Sequence, residues 1–523
     1  MRGLPLFFLL LPSVFSLDIL MYVNVIGKSH LQFADKLIGV LNKEGHNVDV
    51  IMGMLNSIVS LKGSYGARNL VTVQFPGGES PWGSVADHLN NPFVETSNWN
   101  PFNMGFTKFI ETADQLCDLI LDSSSVSSLL SSHHYDVALL TGYDFCPFAL
   151  AHHYKISKVI SYVPTPACHI QNYYGGLPEL PLYENMILDA MHGDRSHFHR
   201  RVIESLRTMK DRYIHYTAYS SINEKLRARF GENFPDVREI AKNISIDFTN
   251  SHPLLEEPKP ISLRLRYIGG IGLPTPKPLN KELNDILNLS KKGNLIFSFG
   301  TQIDADKISD ELQKVFINTF KRFPEYNFLW KFDGKTAMNS SNIFNMKWLP
   351  QTDLLYDSRV VAFISHMGLN SFTETSFAGV PVVSIPLFAD QLHNARRATS
   401  LGTGIMVRKS EITEENLFNA LEKILYDEKY LLRANEISTM VSALPDTPQR
   451  IFLEGIEFAA KFENLSPHYR LAGANHHFFI QTGWDVASFL TLLFLLLAIT
   501  TFKLTLLILR NVTVRILWKR KVD

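Results

Sequence analysis

The 523-residue sequence predicts an α/β protein built on parallel sheets. Three observations carry this. Short, almost wholly apolar, β-branched runs recur along the chain, as expected of strands buried on both faces. Longer stretches with helical spacing of apolar residues alternate with them, the pattern that parallel pairing requires. Some of the apolar runs end in Gly, Ser, Thr or His, at the strand ends where open sheets of this type bind ligands.

The elements follow in order. Residues 1–16, MRGLPLFFLLLPSVFS, combine Arg2, an apolar core and a small residue at Ser16, a secretory signal-peptide pattern with cleavage expected after Ser16. Residues 17–26 (LDILMYVNVI) read as a buried strand. An amphipathic helix starts near Ser29 and carries Leu31, Phe33, Leu37, Val40 and Leu41 at its apolar positions. Residues 47–53, 135–142 and 157–163 read as further strands. Residues 77–103, rich in Pro, Gly, Asn and Trp, read as loop and short helices. Six prolines in residues 250–280 mark a linker between a first domain, 17–255, and a second, 256–483. In the second domain, residues 294–301, 327–332 and 360–365 are strands and 311–323 a helix, and 411–463 are mostly helical with a break at Leu444-Pro445.

Residues 484–509 are apolar and long enough to cross a bilayer, with Trp484 at one interface. Lys503 sits near the basic end, where its side chain can snorkel. Arg510, Arg515, Lys519, Arg520 and Lys521 in the tail 510–523 predict a cytosolic C-terminus, hence a single-pass type I protein with a lumenal body. Sequons at Asn243, Asn288, Asn339 and Asn464 fall on the lumenal side, and one at Asn511 on the cytosolic side. Three cysteines, Cys117, Cys146 and Cys168, rule out a disulfide scaffold and allow at most one intrachain bridge; buried thiols are the expected state. Lys+Arg and Asp+Glu both number 51, which argues against nucleic acid as a partner.

Residues 348–394, WLPQTDLLYDSRVVAFISHMGLNSFTETSFAGVPVVSIPLFADQLHN, hold the densest chemistry. His366 ends a buried strand, Gly368 permits a tight turn, and Asn370 and Ser371 open a helix whose N-terminal amides suit a diphosphate. This stretch resembles, nearly position for position, the signature of the UDP-glycosyltransferases, the family that includes the UDP-glucuronosyltransferases. The resemblance implies a GT-B fold, two Rossmann-like parallel-sheet domains facing a cleft, followed here by the C-terminal transmembrane helix. It makes Trp348 the platform for uracil, with Gln351 beside it. It gives His366, Gly368, Asn370 and Ser371 to the diphosphate, Glu374 to the ribose hydroxyls, and Asp390 and Gln391 to the sugar hydroxyls. Gly300 and Thr301 resemble the loop that approaches the donor phosphates and sugar.

The resemblance also implies an inverting transfer in which His30, after the first strand, takes the proton of an acceptor hydroxyl. By alignment, relatives carry a carboxylate where this chain has Thr141, and Asp144 is the nearest replacement. A donor-binding protein without transfer is therefore the rival reading, for instance as an assembly partner of active relatives. No metal and no cofactor are implied, because helix amides and His366 can meet the leaving-group charge. The co-substrate is UDP-glucuronic acid or UDP-glucose. Lys28, Arg264, Arg266 and Lys277 are candidate cations for a glucuronate carboxylate, and Trp82, Trp99, Phe102 and Phe106 suggest an apolar pocket for a small lipophilic acceptor. The terminal KRKVD resembles the dilysine retrieval signal of endoplasmic-reticulum membrane proteins, and reads equally as a basic stop-transfer flank. Homo- or hetero-oligomers with relatives stay open.

Overall fold

The computed structural model describes residues 16–55, 66–81, 92–93, 104–167, 171, 176–177, 197–300, 303, 308–334, 340–471, 473–474, 476 and 478–522. Residues 1–15 of the expected signal peptide, Trp82, Trp99, Phe102, Cys168, Thr301 and Asn339 lie outside the described residues.

Two all-parallel sheets form the body. The first comprises β1 (Asp18–Val25), β2 (Asn47–Met54), β3 (Asn69–Val73), β4 (Val137–Thr141), β5 (Val159–Val163), β6 (Ile246–Thr249) and β7 (Leu265–Tyr267), in the order β3-β2-β1-β4-β5-β6-β7. The second comprises β8 (Gly293–Ser298), β9 (Tyr326–Lys331), β10 (Ile343–Met346), β11 (Val360–Ser365), β12 (Val382–Ser384) and β13 (Gly404–Met406), in the order β10-β9-β8-β11-β12-β13. In each sheet the strand order reverses between its first and fourth strands, opening a crevice at their carboxyl ends.

Alternation along each strand feeds two cores per sheet. In β1, Leu20 and Tyr22 face one core, which the helices α2 (Met104–Asp122), α3 (Ser124–Ser132) and α4 (Cys146–His153) cover with Leu116, Val126 and Phe148. Ile19, Met21 and Val23 face the other, covered by Leu31, Leu37 and Leu41 of α1 (Lys28–Lys43). Cys117 of α2 and Cys146 of α4 form a disulfide, Cα–Cα 5.6 Å, so these two are not the free thiols expected.

The linker differs from expectation. β7 still pairs with β6, so the first domain runs past residue 255 to Tyr267. Residues 250–256 therefore belong to the connection between β6 and β7, inside the first domain, and touch the second. The chain also returns: helix Pro448–Lys461 lays Phe452 and Ile456 against the first sheet, Phe452 at 5.1 Å from Phe248 by ring centroids. Gly455 is required there, since a Cβ would fall 2.7 Å from the Phe248 ring. A second crossing is at Phe93, whose ring meets Phe299, next to Gly300, edge-on at 5.2 Å.

Helix Trp484–Val522 is longer than the expected span of 484–509. Its stretch Trp484–Trp518 is the one helix among the described residues long and apolar enough to cross a membrane. At 1.5 Å per residue the helix is roughly 58 Å long, against ~30 Å of hydrocarbon core. The basic residues from Arg510 onward continue it in helical form.

Candidate active site

Both crevices are marked by a histidine. In the second domain, β11 delivers His366 at its carboxyl end, 8% exposed, and Met367 then adopts φ 62, a left-handed turn held by its N–H donating to Ser365 Oγ at 3.0 Å. The turn aims the chain into helix Leu369–Ala378, whose N-cap, Gly368, supplies no side-chain cap. The His366 ring is caged by glycines from two loops. A Cβ on Gly300 would fall 2.6 Å from its Cε1 and Nε2, and one on Gly368 2.8 Å from Nε2. Gly300 also sits at φ 78, a backbone conformation that favours glycine. Burial pushes the imidazole down to about 4, the nearby Lys331 charge adds to this, and the Ser298 backbone opposes it. The ring is thus neutral near pH 7 and its Nδ1 is buried without a hydrogen-bond partner.

Around this cage the sequence-predicted donor residues converge. Gln351 opens helix Gln351–Leu355, and its Nε2 donates to Ser371 Oγ at 3.2 Å and Glu374 Oε2 at 2.5 Å, joining three of them in one network. Burial raises the Glu374 carboxyl, with Gln351 and Thr352 opposing. Asn370 is exposed at the helix start. Asp390 caps helix Gln391–Leu401 and accepts from Asn394 Nδ2 at 2.9 Å, while the same amide donates to Met367 O at 3.0 Å. Burial raises the Asp390 carboxyl too. Gln391 Oε1 accepts from the N–H groups of Leu387 and Phe388, at 2.9 and 3.2 Å, which fixes the side chain and leaves the amide nitrogen as its donor. Trp348 is 63% exposed, as a stacking platform must be.

Sequence reading missed Lys331. It ends β9, donates to Gly300 O and stands 5.7 Å from the Trp348 ring centroid. Burial lowers its ammonium, Asp333 opposes, and the charge of Lys28 from the first domain adds to the lowering. The available signal was its position, a lysine closing a buried apolar strand.

The candidate cations separate on the same geometry. Arg264 is buried in an ion pair with Asp247 at 2.5 Å and is structural. Arg266 stacks on Tyr469 at 5.9 Å, and Lys277 meets Asp353 through its backbone N–H at 2.8 Å. Of the four, Lys28 is the one whose charge reaches Lys331.

In the first domain, His30 lies in the first turn of α1 with its ring stacked on Tyr143, centroids 5.7 Å apart and planes 21° from parallel. Its Nδ1 is buried with no hydrogen-bond partner, and burial lowers the imidazole to about 4. Asp144 does not support it. Oδ1 accepts from Cys146 N at 2.9 Å, tying down the start of α4, and Oδ2 accepts from Asn24 Nδ2. Burial raises this carboxyl to about 6, against the pull of those two donors. Thr141, expected where a carboxylate would stand, is buried with its Oγ1 likewise unpartnered. Its neighbour Leu140 faces the α2–α4 core, so by alternation Thr141 faces the α1 side.

Comparison with known proteins agrees with this architecture. A family-wide sequence profile described as "UDP-glucoronosyl and UDP-glucosyl transferase" matches residues 21–519. UDP-glucuronosyltransferase 1A8 of Rattus norvegicus is 28% identical over 401 residues, covering 76% of this chain and 74% of its own. UDP-glucosyltransferase 2 of Dactylopius coccus is 24% identical over 496 residues, covering 94% and 93%. Among solved structures, the glycotransferase of kitacinnamycin superposes with TM-score 0.57 at 16% identity, covering 85% of this chain and 98% of that one, which shows the GT-B fold. With the profile spanning nearly the whole sequence, the chain belongs to the UDP-glucoronosyl and UDP-glucosyl transferase family and is a UDP-glycosyltransferase.

Proposed function

We propose that this enzyme moves glucuronic acid or glucose from its UDP-sugar to a hydroxyl of a small lipophilic acceptor, conjugating it with inversion at the anomeric carbon. One observation carries the reading: each strand-order reversal carries a neutral histidine, His30 with an unpartnered Nδ1 in the first domain and His366, caged by Gly300 and Gly368, in the second. Trp348 stacks the uracil, Glu374 accepts from the ribose diol, and Asp390 with Gln391 holds the sugar. The diphosphate lies against the amides opening helix Leu369–Ala378, beside His366 and Lys331. His30 takes the acceptor proton as the oxygen attacks the anomeric carbon from the face opposite UDP, and UDP leaves with the bonding electron pair. Tyr143 stacks on that base.

The apolar helix Trp484–Val522 supports a single-pass membrane form, and the Cys117–Cys146 disulfide supports an oxidising, lumenal setting for the body, here the endoplasmic reticulum. A second reading, UDP-sugar binding without transfer, is favoured by Asp144, whose carboxylate is engaged away from His30. The deciding experiment is transfer by membrane-expressed protein to a panel of phenols and sterols, with UDP-glucuronic acid and UDP-glucose supplied separately. Transfer from one donor supports the enzyme and names the sugar. UDP binding with no transfer across the panel supports the second reading.

A further inference from the structure

The connection between β6 and β7 of the first domain is gripped by the helix that opens with the sugar-binding pair. His393 and Arg397, one turn apart on helix Gln391–Leu401, face it together. His393 Nε2 lies 3.0 Å from Glu256 Oε1. Arg397 donates through Nε to Leu255 O at 3.0 Å and through Nη2 to Leu254 O at 3.1 Å. Glu256 is 3% exposed and takes two further side-chain partners, Ser251 Oγ at 2.7 Å and Lys259 Nζ at 3.9 Å, and accepts from the Glu257 backbone N–H at 3.3 Å. The same stretch touches the other donor helix, where His252 meets Phe377 edge-on at 5.6 Å. On its other side, helix Gln391–Leu401 reaches the donor cage: Asn394 bonds Asp390 and the Met367 carbonyl.

We infer that Glu256, with His393 and Arg397, is a positioning device that sets the seat of Asp390 and Gln391 from the interdomain crossing, so that grip on the donor sugar depends on how the two domains are disposed. This rests on the donor-site reading above. The carboxylate is ionised in this cluster: burial raises it, but His393, Lys259 and Ser251 outweigh burial and hold it at about 2. A buried charge with three side-chain partners is costly to assemble and fails sharply when one is removed, which suits a part that fixes position. The uridine side of the donor site is built separately, with Gln351 joined to Ser371 and Glu374 and Lys331 holding Gly300, while Asn394 and His252 reach only the Met367 carbonyl and Phe377, so the nucleotide seat should share the dependence less.

The test measures binding of UDP, UDP-glucuronic acid and UDP-glucose to the full chain, together with KM and kcat, for Glu256→Ala, Glu256→Gln and Arg397→Ala. In Glu256→Ala and Arg397→Ala, UDP affinity should stay within about twofold while affinity for the UDP-sugar falls about tenfold, with KM for the donor rising more than kcat falls. Glu256→Gln keeps an acceptor for His393 and should recover most of the loss. If Glu256→Ala does not fold, Arg397→Ala and Glu256→Gln decide alone. Equal loss of UDP and UDP-sugar affinity in a folded variant, or no change in either, overturns the inference. Wild-type protein that binds no UDP overturns the donor-site reading instead.

Discussion

The two strand-order reversals of this molecule carry the same residue type in different settings. His366 is walled by backbone, with glycines from two loops so close that no side chain fits beside the ring. His30 instead meets a side chain, the Tyr143 ring stacked on its own, and its Nδ1 has no hydrogen-bond partner. On the proposed reading, a backbone cage suits a ligand common to every donor, the nucleotide diphosphate. Side-chain walls can be exchanged without refolding a loop, which suits the half of the cleft that meets variable acceptors. Both imidazoles are neutral at pH 7 through burial, yet only the one beside the acceptor is proposed to move a proton.

The largest expected effect isolates that asymmetry. His30→Ala should reduce transfer by about a hundredfold or more while leaving UDP affinity unchanged, measured by initial rates beside calorimetric titration. The wild-type rate should follow neutral His30. With its proton affinity lowered to about 4, activity should hold as pH falls through 6.5 and drop only as pH approaches 4, a profile that loss of the protein's fold must be shown not to mimic. The cage breaks next. Gly300→Ala adds a Cβ against His366 at a left-handed backbone position and should weaken UDP about tenfold or more. Trp348→Ala should cost roughly 1–3 kcal/mol of UDP binding with little change in melting temperature, because the ring is already exposed. The smallest effect should come from Asp144→Asn, about threefold in rate, since the carboxylate serves Asn24 and α4 rather than His30. Its sign in stability is opposite to a salt-bridged carboxylate. The folded group titrates near 6, above its ordinary 3.8, so ionisation costs stability that is fully present only below about 3.8 and is lost as pH rises through 6. Asp144→Asn should therefore stabilise the protein at pH 8 and not at pH 4, read by thermal unfolding. A hundredfold rate loss in this variant would restore Asp144 as the partner of His30.

The same contrast explains what was legible in the sequence. The donor half lies mostly in one contiguous stretch, so Trp348, Gln351, His366 and Glu374 could be read from its resemblance to the family signature, and the structure joins Gln351, Ser371 and Glu374 directly. The long apolar strands β1, β2, β4, β8, β9 and β11 were legible because burial on both faces leaves a continuous run. The three-residue strands β7, β12 and β13 are too short to carry a period, which is why the domain boundary was placed before β7. In the first domain Asn24, Thr141 and Asp144 come from β1, the end of β4 and the loop after it, and no spacing rule connects them with His30. Glu256 with His393 lay 137 positions apart, visible only once the crossing was folded onto the helix. The disulfide was missed because three cysteines in sequence do not say which pair meets.

The return of helix Pro448–Lys461 onto the first sheet bears on how such chains can be made and recombined. The first domain emerges early in synthesis with Phe248 and Ile246 uncovered, and the ridge that fills that groove is among the last parts of the folded body to be translated. The first domain is thus completed by residues from the far end of the gene, and a junction cut at the proline-rich linker leaves it facing a foreign helix. Chimeras that exchange donor halves between relatives should work better when residues 448–461 travel with the first half, or when the groove around Phe248 is matched to the incoming ridge.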